Sequence, residues 1–311
     1  MAEPVQTTQS QISSLFDQLN TVMAGKALQV RDCVICLLAG GHLLIEDIPG
    51  VGKTTLAQAL ARSFGLAFSR VQFTSDLMPS DLTGVSVFER GQQAFVFHPG
   101  PLFAQLLLAD EINRASPRTQ SALLEAMEEQ QVSVDGQTRA LPRPFFVIAT
   151  QNPHEQVGTQ LLPESQLDRF LMRISLGYPD RAAELSLLQG QDRRALLQGL
   201  PALLDAAGFA RLQSEVLAVQ ASEAVLDYLL DLVAATRSGR WFVQGLSPRA
   251  ALGVLRAAKA HALVEGRRYL APDDIAAILP QTTAHRLTPL PASGRGPFEQ
   301  VQALLAATPL R

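Results

Sequence analysis

The sequence predicts an α/β domain with a mostly parallel sheet, followed by a small all-α domain. Strand and helix patterns alternate through residues 1–178, as they do in βα units that build a parallel sheet. From residue 179 onward strand patterns nearly vanish, and the composition shifts towards Ala and Leu at helical spacing. We therefore expect two domains, at residues 1–178 and 179–311, and a chain of 311 residues is long enough for both.

The elements of the first domain follow from hydrophobic periodicity, taken in order along the chain. The first dozen residues are polar, and we expect them to fray. Helices are predicted at 12–23, 28–38, 53–64 and 117–130, and strands at 42–46, 67–73, 104–109, 145–150 and 171–176. Two stretches that alternate around a turn, at 85–97 and 132–141, each predict a β-hairpin.

The second domain is predicted to be helical at 181–189, 203–217, 223–236, 248–264 and 272–279.

Composition narrows the classes of protein to consider. The formal net charge is -3, which argues against a protein that binds the phosphate backbone of nucleic acids through a basic surface. No apolar run is long enough to span a membrane and no signal peptide is recognisable, so we expect a cytoplasmic protein. Cys33 and Cys36 lie in an apolar helical stretch and are expected to be buried rather than redox-active.

A glycine-rich turn between a predicted strand and a predicted helix carries the strongest chemical signal. It reads Ile48-Pro49-Gly50-Val51-Gly52-Lys53-Thr54-Thr55, and it departs from the pattern G-x-x-x-x-G-K-[ST] in having Asp47 where the first glycine is expected. Glycines let backbone N–H groups approach a phosphate, and a helix start attracts its negative charge. The turn therefore predicts a nucleotide site at residues 49–55, with Lys53 on the outer phosphates and Thr54 on Mg²⁺.

A buried apolar strand that ends in two carboxylates is the second signal. Asp110 and Glu111 directly follow a Leu-Leu-Leu-Ala run. An aspartate in this position can hold Mg²⁺ beside a nucleotide, and an adjacent glutamate suits the activation of an attacking water. With the phosphate-binding turn upstream, the two carboxylates favour nucleotide hydrolysis over binding alone.

Together these motifs resemble those of AAA+ ATPases and, within that group, of the MoxR family. The resemblance covers nearly the whole chain after the first two dozen residues. It rests on five strings in order, at 45–54 (IEDIPGVGKT), 110–117 (DEINRASP), 149–153 (ATQNP), 166–170 (QLDRF) and 246–250 (LSPRA). It implies a P-loop AAA+ core whose parallel sheet is flanked by helices, a helical lid as the second domain, and ATP and Mg²⁺ as cofactors.

The resemblance also implies roles for three residues later in the chain. Asn152 matches the sensor-1 position, where an amide orients the attacking water. Arg169 matches the arginine finger, which reaches the nucleotide of a neighbouring subunit; without the resemblance it would be taken for half of a surface ion pair with Asp168. Arg249 matches sensor 2, and the sequence leaves open whether it serves its own subunit's nucleotide or the neighbour's.

Arg114 and the two hairpins each have more than one interpretation. Arg114 either faces an adjacent subunit or pairs with Glu111 or Glu125. The two hairpins resemble the helix-2 insert and the pre-sensor-1 hairpin of related rings, or they are ordinary decorations of the sheet. Phe88 and Phe95 are the aromatic candidates for contact with a client protein.

The leading functional hypothesis is an ATP-driven homo-hexameric ring that remodels or activates a client enzyme complex, including insertion of a metal cofactor. The resemblance implies a separate partner that carries a von Willebrand factor A domain. A metal-chelatase ATPase subunit and a nucleic-acid motor share the core motifs, although the acidic charge balance argues against the motor. A scaffold that hydrolyses slowly or not at all would need neither Glu111 nor Arg169.

Overall fold

A computed structural model describes residues 3–152, 162–179, 181–189 and 193–308 of the chain. Within these residues, strands and helices are interspersed as far as Ile174, and the elements beyond it are helices. The strands are β1 (His42–Glu46), β2 (Phe68–Gln72), β3 (Gly84–Glu89), β4 (Ala94–Pro99), β5 (Leu106–Asp110), β6 (Gln131–Val134), β7 (Gln137–Ala140), β8 (Phe146–Gln151) and β9 (Phe170–Ile174). The helices are α1 (Glu3–Val22), α2 (Ala27–Leu38), α3 (Lys53–Ser63), α4 (Pro79–Thr83), α5 (Pro117–Glu129), α6 (Glu164–Leu167), α7 (Arg181–Leu188), α8 (Arg193–Gly199), α9 (Ala206–Ala218), α10 (Glu223–Arg237), α11 (Pro248–Val264), α12 (Pro272–Thr283) and α13 (Pro297–Ala307).

The central sheet of the described chain is all-parallel, in the order β2-β5-β8-β1-β9. Successive residues of β1, β5 and β8 enter two separate hydrophobic clusters, one on each face of the sheet. Such burial on both faces explains the continuous apolar runs of the inner strands. The carboxyl ends of parallel strands meet at one edge, so the segments after β1, β5 and β8 converge there. The predicted fold class is confirmed.

The amino-terminal segment is helical, which corrects the expectation that it would fray. The helix α1 begins at Glu3, and Leu15 and Leu19 on its apolar side are buried. Thr8, nearer the amino-terminal end of α1, is also buried. Its hydroxyl donates a hydrogen bond to the carboxylate of Glu215 in α9 at 3.0 Å. A helix of the second domain thus supplies a partner that local periodicity cannot reveal.

Both predicted hairpins are present, as the antiparallel pairs β3–β4 and β6–β7. Between β6 and β7, Asp135 and Gly136 have φ values of +53° and +75°, as a type I′ turn requires. The guanidinium of Arg139 in β7 lies 3.9 Å from the ring centroid of Phe97 in β4, so a cation–π contact joins the two hairpins.

The two cysteines are buried in α2 as free thiols. Burial raises the pKa of both Cys33 and Cys36. Because redox exchange and zinc binding both use the thiolate, this environment supports a packing role. In the part of the chain that is described, no helix combines the length and the apolar character needed to cross a bilayer.

The side chain of His42 links the end of α5 to the sheet through two hydrogen bonds. Its buried imidazole donates from Nε2 to the Met127 carbonyl at 3.2 Å and accepts at Nδ1 from the Val147 N–H at 3.0 Å. Because Nδ1 accepts, the ring is held as the neutral Nε2–H tautomer. Burial lowers the pKa of His42 to about 4, and the charge of Arg249 acts in the same direction.

We expect His42→Gln to make the free energy of unfolding less sensitive to acid. The unfolded chain takes up a proton on His42 below its usual pKa of 6.5, whereas the folded chain does so only below about 4. Folding stability from this residue is therefore complete above pH 6.5 and falls by about 2.5 kcal/mol by pH 4.5. Denaturant titrations of both proteins at pH 7.5 and 4.5 give their free energies of unfolding. The wild-type value minus the variant value should fall between the two pH values by this amount. A difference that stays constant with pH would contradict a neutral, buried His42.

Candidate active site

The phosphate-binding turn has the backbone that its glycines allow. It connects β1 to α3, with Gly50 at a φ of +87° and Gly52 at +99°, and both values lie in the left-handed region that favours glycine. A Cβ atom on Gly50 would meet nothing within 4 Å. Residues of the turn line a cavity, and the N–H groups at the start of α3 can bind an anion there.

Asp47 occupies the position where the first glycine of the motif is expected, and its side chain forms three hydrogen bonds that hold the turn in place. Its Oδ2 accepts hydrogen bonds from the Gly177 N–H at 2.6 Å and the Ser175 hydroxyl at 3.1 Å, and its Oδ1 accepts one from the Ile48 N–H at 2.9 Å. Its backbone carbonyl accepts a hydrogen bond from Nζ of Lys53 at 2.7 Å. The carboxylate therefore ties the turn to the segment after β9, and Asp47 is not among the residues that line the cavity beside the turn.

Lys53, Thr54, Asp110 and Glu111 line one cavity of about 340 Å³. Burial lowers the pKa of Lys53, and the nearby carboxylates oppose that shift. Val51 is also predicted to bind the nucleotide, and its side chain packs against the main hydrophobic cluster. The full lining of the cavity is Pro49, Gly50, Gly52, Lys53, Thr54, Thr55, Arg70, Gln72, Asp110 and Glu111.

Asp110 ends β5 with both carboxylate oxygens engaged. Oδ1 accepts a hydrogen bond from the Thr150 hydroxyl at 2.6 Å, and Oδ2 accepts one from the guanidinium of Arg70 at 2.7 Å. Thr150 lies on β8 and Arg70 on β2, the two strands that flank β5. Sequence analysis missed both residues, since it could not give the strand order. An arginine inside a predicted strand was the available signal for Arg70.

Glu111 has a backbone conformation that is uncommon for a residue other than glycine. Its φ is +57°, its N–H donates to the Thr150 hydroxyl at 2.9 Å, and its carboxylate lies 2.7 Å from Nε of Arg114. Strained conformations of this kind persist where the surroundings enforce them, and they cluster at active sites. Of the interpretations of Arg114, the structure supports the ion pair with Glu111.

Asn152 follows β8 directly and is half-buried at the same edge of the sheet. The carbonyl of the preceding residue, Gln151, accepts the N–H of Asp47 at 3.1 Å, which ties the end of β8 to the start of the phosphate-binding turn. Pro153, the last residue of the motif that includes Asn152, lies outside the described residues.

Arg169 and Arg249 lie together, and neither lines the cavity. Glu128 in the last turn of α5 joins them, with Oε2 at 3.0 Å from Nε of Arg169 and Oε1 at 2.5 Å from Nη1 of Arg249. The alternative partner considered for Arg169, Asp168, pairs instead with Arg286 at 3.4 Å. The two arginines therefore belong to one surface of the subunit, and sequence analysis missed the residue that joins them.

Arg286 of the second domain fixes the backbone on both sides of Arg169. Its Nη2 donates to the carbonyl of Phe170 at 2.6 Å and to that of Asp168 at 3.2 Å, and Nε2 of His285 lies 2.9 Å from the Phe170 carbonyl. Burial lowers the pKa of Arg286 to about 10 and also lowers that of His285. These contacts join segments far apart in the chain, so no local pattern predicts them.

The residues around the cavity fit a nucleoside triphosphate with Mg²⁺. The turn is open towards the cavity, Lys53 offers positive charge, and the hydroxyl of Thr54 and carboxylate of Asp110 are oxygen ligands of the kind that Mg²⁺ prefers. Within the described ranges, no cluster of three or more His, Cys, Asp or Glu residues is arranged to hold a metal ion. A magnesium ion here would therefore draw on phosphate oxygens and water for its remaining ligands.

Known families match both parts of the chain. Residues 42–172 match the "ATPase family associated with various cellular activities (AAA)", and residues 234–306 match the "AAA lid domain". A solved structure of a protein from Cytophaga hutchinsonii ATCC 33406, described as a candidate ATPase, has a TM-score of 0.91 and 33% identity, covering 99% of this chain and 97% of that one.

Curated relatives are similar over most of their length. "Uncharacterized protein YeaC" of Bacillus subtilis (strain 168) is 46% identical over 296 residues, which is 94% of this chain and 90% of the relative. "Chaperone MoxR1" of Mycobacterium tuberculosis (strain ATCC 25618 / H37Rv) is 40% identical over 281 residues, which is 87% of this chain and 74% of the relative. With the phosphate-binding turn, the carboxylate pair at the end of β5 and the helical lid all present, the chain belongs to the MoxR family of AAA+ ATPases.

Proposed function

We propose that the protein hydrolyses ATP in a Mg²⁺-dependent reaction at the cavity described above. The observation that carries this proposal is the meeting of Lys53, Thr54, Asp110 and Glu111 in that one cavity. Lys53 and the N–H groups at the start of α3 bind the phosphates. Thr54 and Asp110 would hold Mg²⁺, and a bound Mg²⁺ would supply positive charge beside the phosphates. Glu111 accepts the proton of the attacking water.

We propose further that Asn152 orients this water and that Arg169 and Arg249 act on the nucleotide of a neighbouring subunit. Two observations support action across a subunit interface for both arginines: they share the partner Glu128, and neither is among the residues that line their own cavity. An arginine that enters a neighbour's site stabilises the charge of the transferring phosphoryl group. An interface of this kind joins different surfaces of successive subunits and closes into a ring, here a homo-hexamer.

The proposed work of the ring is chaperone-like remodelling or activation of a client enzyme complex, with metal-cofactor insertion as one form of it. Phe88 and Phe95 support a client-contacting surface: their side chains are 50% and 74% exposed, and their ring centroids lie 5.4 Å apart. Large exposed aromatic pairs mark interaction surfaces. We keep residues 1–178 and 179–311 as the proposed domains, the cytoplasm as the proposed location, and a separate von Willebrand factor A protein as the proposed partner.

The ATPase rate per protomer against protein concentration tests this function. We measure it with Mg²⁺ or with EDTA, and with or without DNA, while sizing reports the oligomer. A rate that needs Mg²⁺, rises as rings assemble and ignores DNA is the expected result, because each site is completed by a neighbour. No hydrolysis by assembled rings would contradict the proposal, and strong stimulation by DNA would favour a nucleic-acid motor.

A further inference from the structure

Glu128 and Arg249 each occupy a position where their own helix disfavours their charge. Glu128 lies in the last turn of α5, where unpaired carbonyls present partial negative charge. Arg249 follows Ser247, the N-cap, and Pro248 in the first turn of α11, where N–H groups present partial positive charge. The ion pair between them offsets both conflicts. Local conflicts of this sort are typical of positions that serve function.

A single carboxylate holds two guanidinium groups at this point. Oε1 of Glu128 forms an ion pair with Arg249 and Oε2 forms one with Arg169, so each oxygen contacts a different guanidinium group. The hydrogen bond from Arg249 and the charges of both arginines lower the pKa of Glu128, as expected for a carboxylate held between two cations. Without that negative charge the two cations would repel each other across the same small space.

The three side chains reach this point from three independently fixed elements. His42 binds the carbonyl of Met127, the residue before Glu128, and so anchors the end of α5 to the sheet. Arg286 binds the backbone on both sides of Arg169. Arg249 begins α11. The meeting of the three is therefore supported by contacts from both domains.

We propose that Glu128 is a positioning residue for ATP hydrolysis: it holds Arg169 and Arg249 together as a unit that meets the nucleotide of the neighbouring subunit. The proposal rests on the proposed action of Arg169 across the interface. The side chains of Glu128, Arg169 and Arg249 are 35%, 28% and 50% exposed, and ion pairs this exposed add little to folding stability. The effect of Glu128 is therefore on orientation, since a pre-arranged pair of arginines needs no further ordering when a phosphate arrives.

The test compares Glu128→Gln with the matched control Glu129→Gln, which makes the same change at the adjacent exposed glutamate of α5. We expect the first to lower kcat between about tenfold and a hundredfold and the second to leave it unchanged. Binding of a fluorescent ATP analogue to the subunit's own cavity and the melting temperature should stay near wild type in both.

Mixing experiments separate this inference from the function on which it rests. Glu128→Gln subunits mixed with Glu111→Gln subunits should regain turnover, because one lesion affects the arginine side of an interface and the other affects the cavity side. No gain despite subunit exchange would overturn the positioning role. If Arg169→Ala itself keeps full turnover, the proposed action across the interface fails first. If Arg169→Ala is inactive while Glu128→Gln equals Glu129→Gln, only the inference about Glu128 fails.

Should Glu128→Gln prevent assembly, Glu128→Asp provides the second variant. The shorter side chain keeps the charge at the end of α5 but cannot reach both guanidinium groups. We expect assembled rings with the same lowered kcat and an unchanged affinity for ATP. Assembled Glu128→Asp rings with wild-type kcat would contradict the proposal.

Discussion

Glu111→Gln is expected to bind ATP and lose its turnover. The glutamine has the shape of the glutamate but cannot accept a proton from water, and general-base catalysis contributes about 10²–10⁴-fold to such reactions. The phosphate-binding turn, Lys53 and the backbone N–H of Glu111 that binds Thr150 are unchanged by the substitution. We therefore expect a wild-type Kd for ATP and a kcat lower by at least about a hundredfold. Stopped-flow nucleotide binding and steady-state phosphate release measure the two quantities.

The ion pair between Glu111 and Arg114 requires a control for this experiment. The substitution also removes the charge that lies 2.7 Å from Nε of Arg114, and loss of that contact alone could reorient the side chain. Arg114→Gln removes the same contact while leaving the carboxylate in place. If Glu111 is the base, Arg114→Gln keeps most of the turnover that Glu111→Gln loses. Equal losses in the two variants would assign the effect to the ion pair, and unchanged turnover in Glu111→Gln would remove Glu111 from the role of base.

The centre of the candidate site could be predicted because its parts are local in sequence. A strand, a glycine-rich turn and a helix place Lys53 and Thr54, and a buried apolar strand places Asp110 at its carboxyl end. Parallel strands then bring these ends to one edge of the sheet, whatever their order. Sequence reasoning therefore reached Lys53, Thr54, Asp110 and Glu111 without knowing which strand is next to which.

The surroundings of the site depend on strand order and on contacts between domains, which local patterns do not contain. Arg70 contacts Asp110 because β2 neighbours β5, and Glu128 joins Arg169 to Arg249 because the end of α5 meets the start of α11. The amino-terminal turns of α1 were missed for the same reason, since their partner lies in α9. The short helices α4 and α8 contain too few residues for periodicity to identify them. The final helix α13 was missed although Val301 and Leu304, both buried, follow helical spacing.

Arg169→Ala is expected to abolish turnover by itself and to recover part of it in mixed rings with Glu111→Gln. An arginine finger contributes about 10³–10⁵-fold to kcat, so neither variant alone should hydrolyse ATP at a measurable rate. In a mixed ring, a cavity with intact Glu111 can face a neighbour with intact Arg169. At equal amounts and random order, about one quarter of the interfaces combine the two intact residues. The mixture should therefore approach a quarter of the wild-type rate.

This recovery occurs only if Arg169 acts on the cavity of a neighbouring subunit. The experiment therefore tests which cavity Arg169 serves. If Arg169 served its own cavity, every subunit of a mixed ring would carry one lesion in its own site, and mixing would add nothing. The structure argues for the neighbour, since Arg169 shares Glu128 with Arg249 and does not line its own cavity. Arg295→Ala, which removes an exposed arginine from a loop of the second domain, controls for the loss of charge. No recovery in rings with demonstrated subunit exchange would contradict action across the interface, whereas recovery that grows with the fraction of mixed interfaces would establish it.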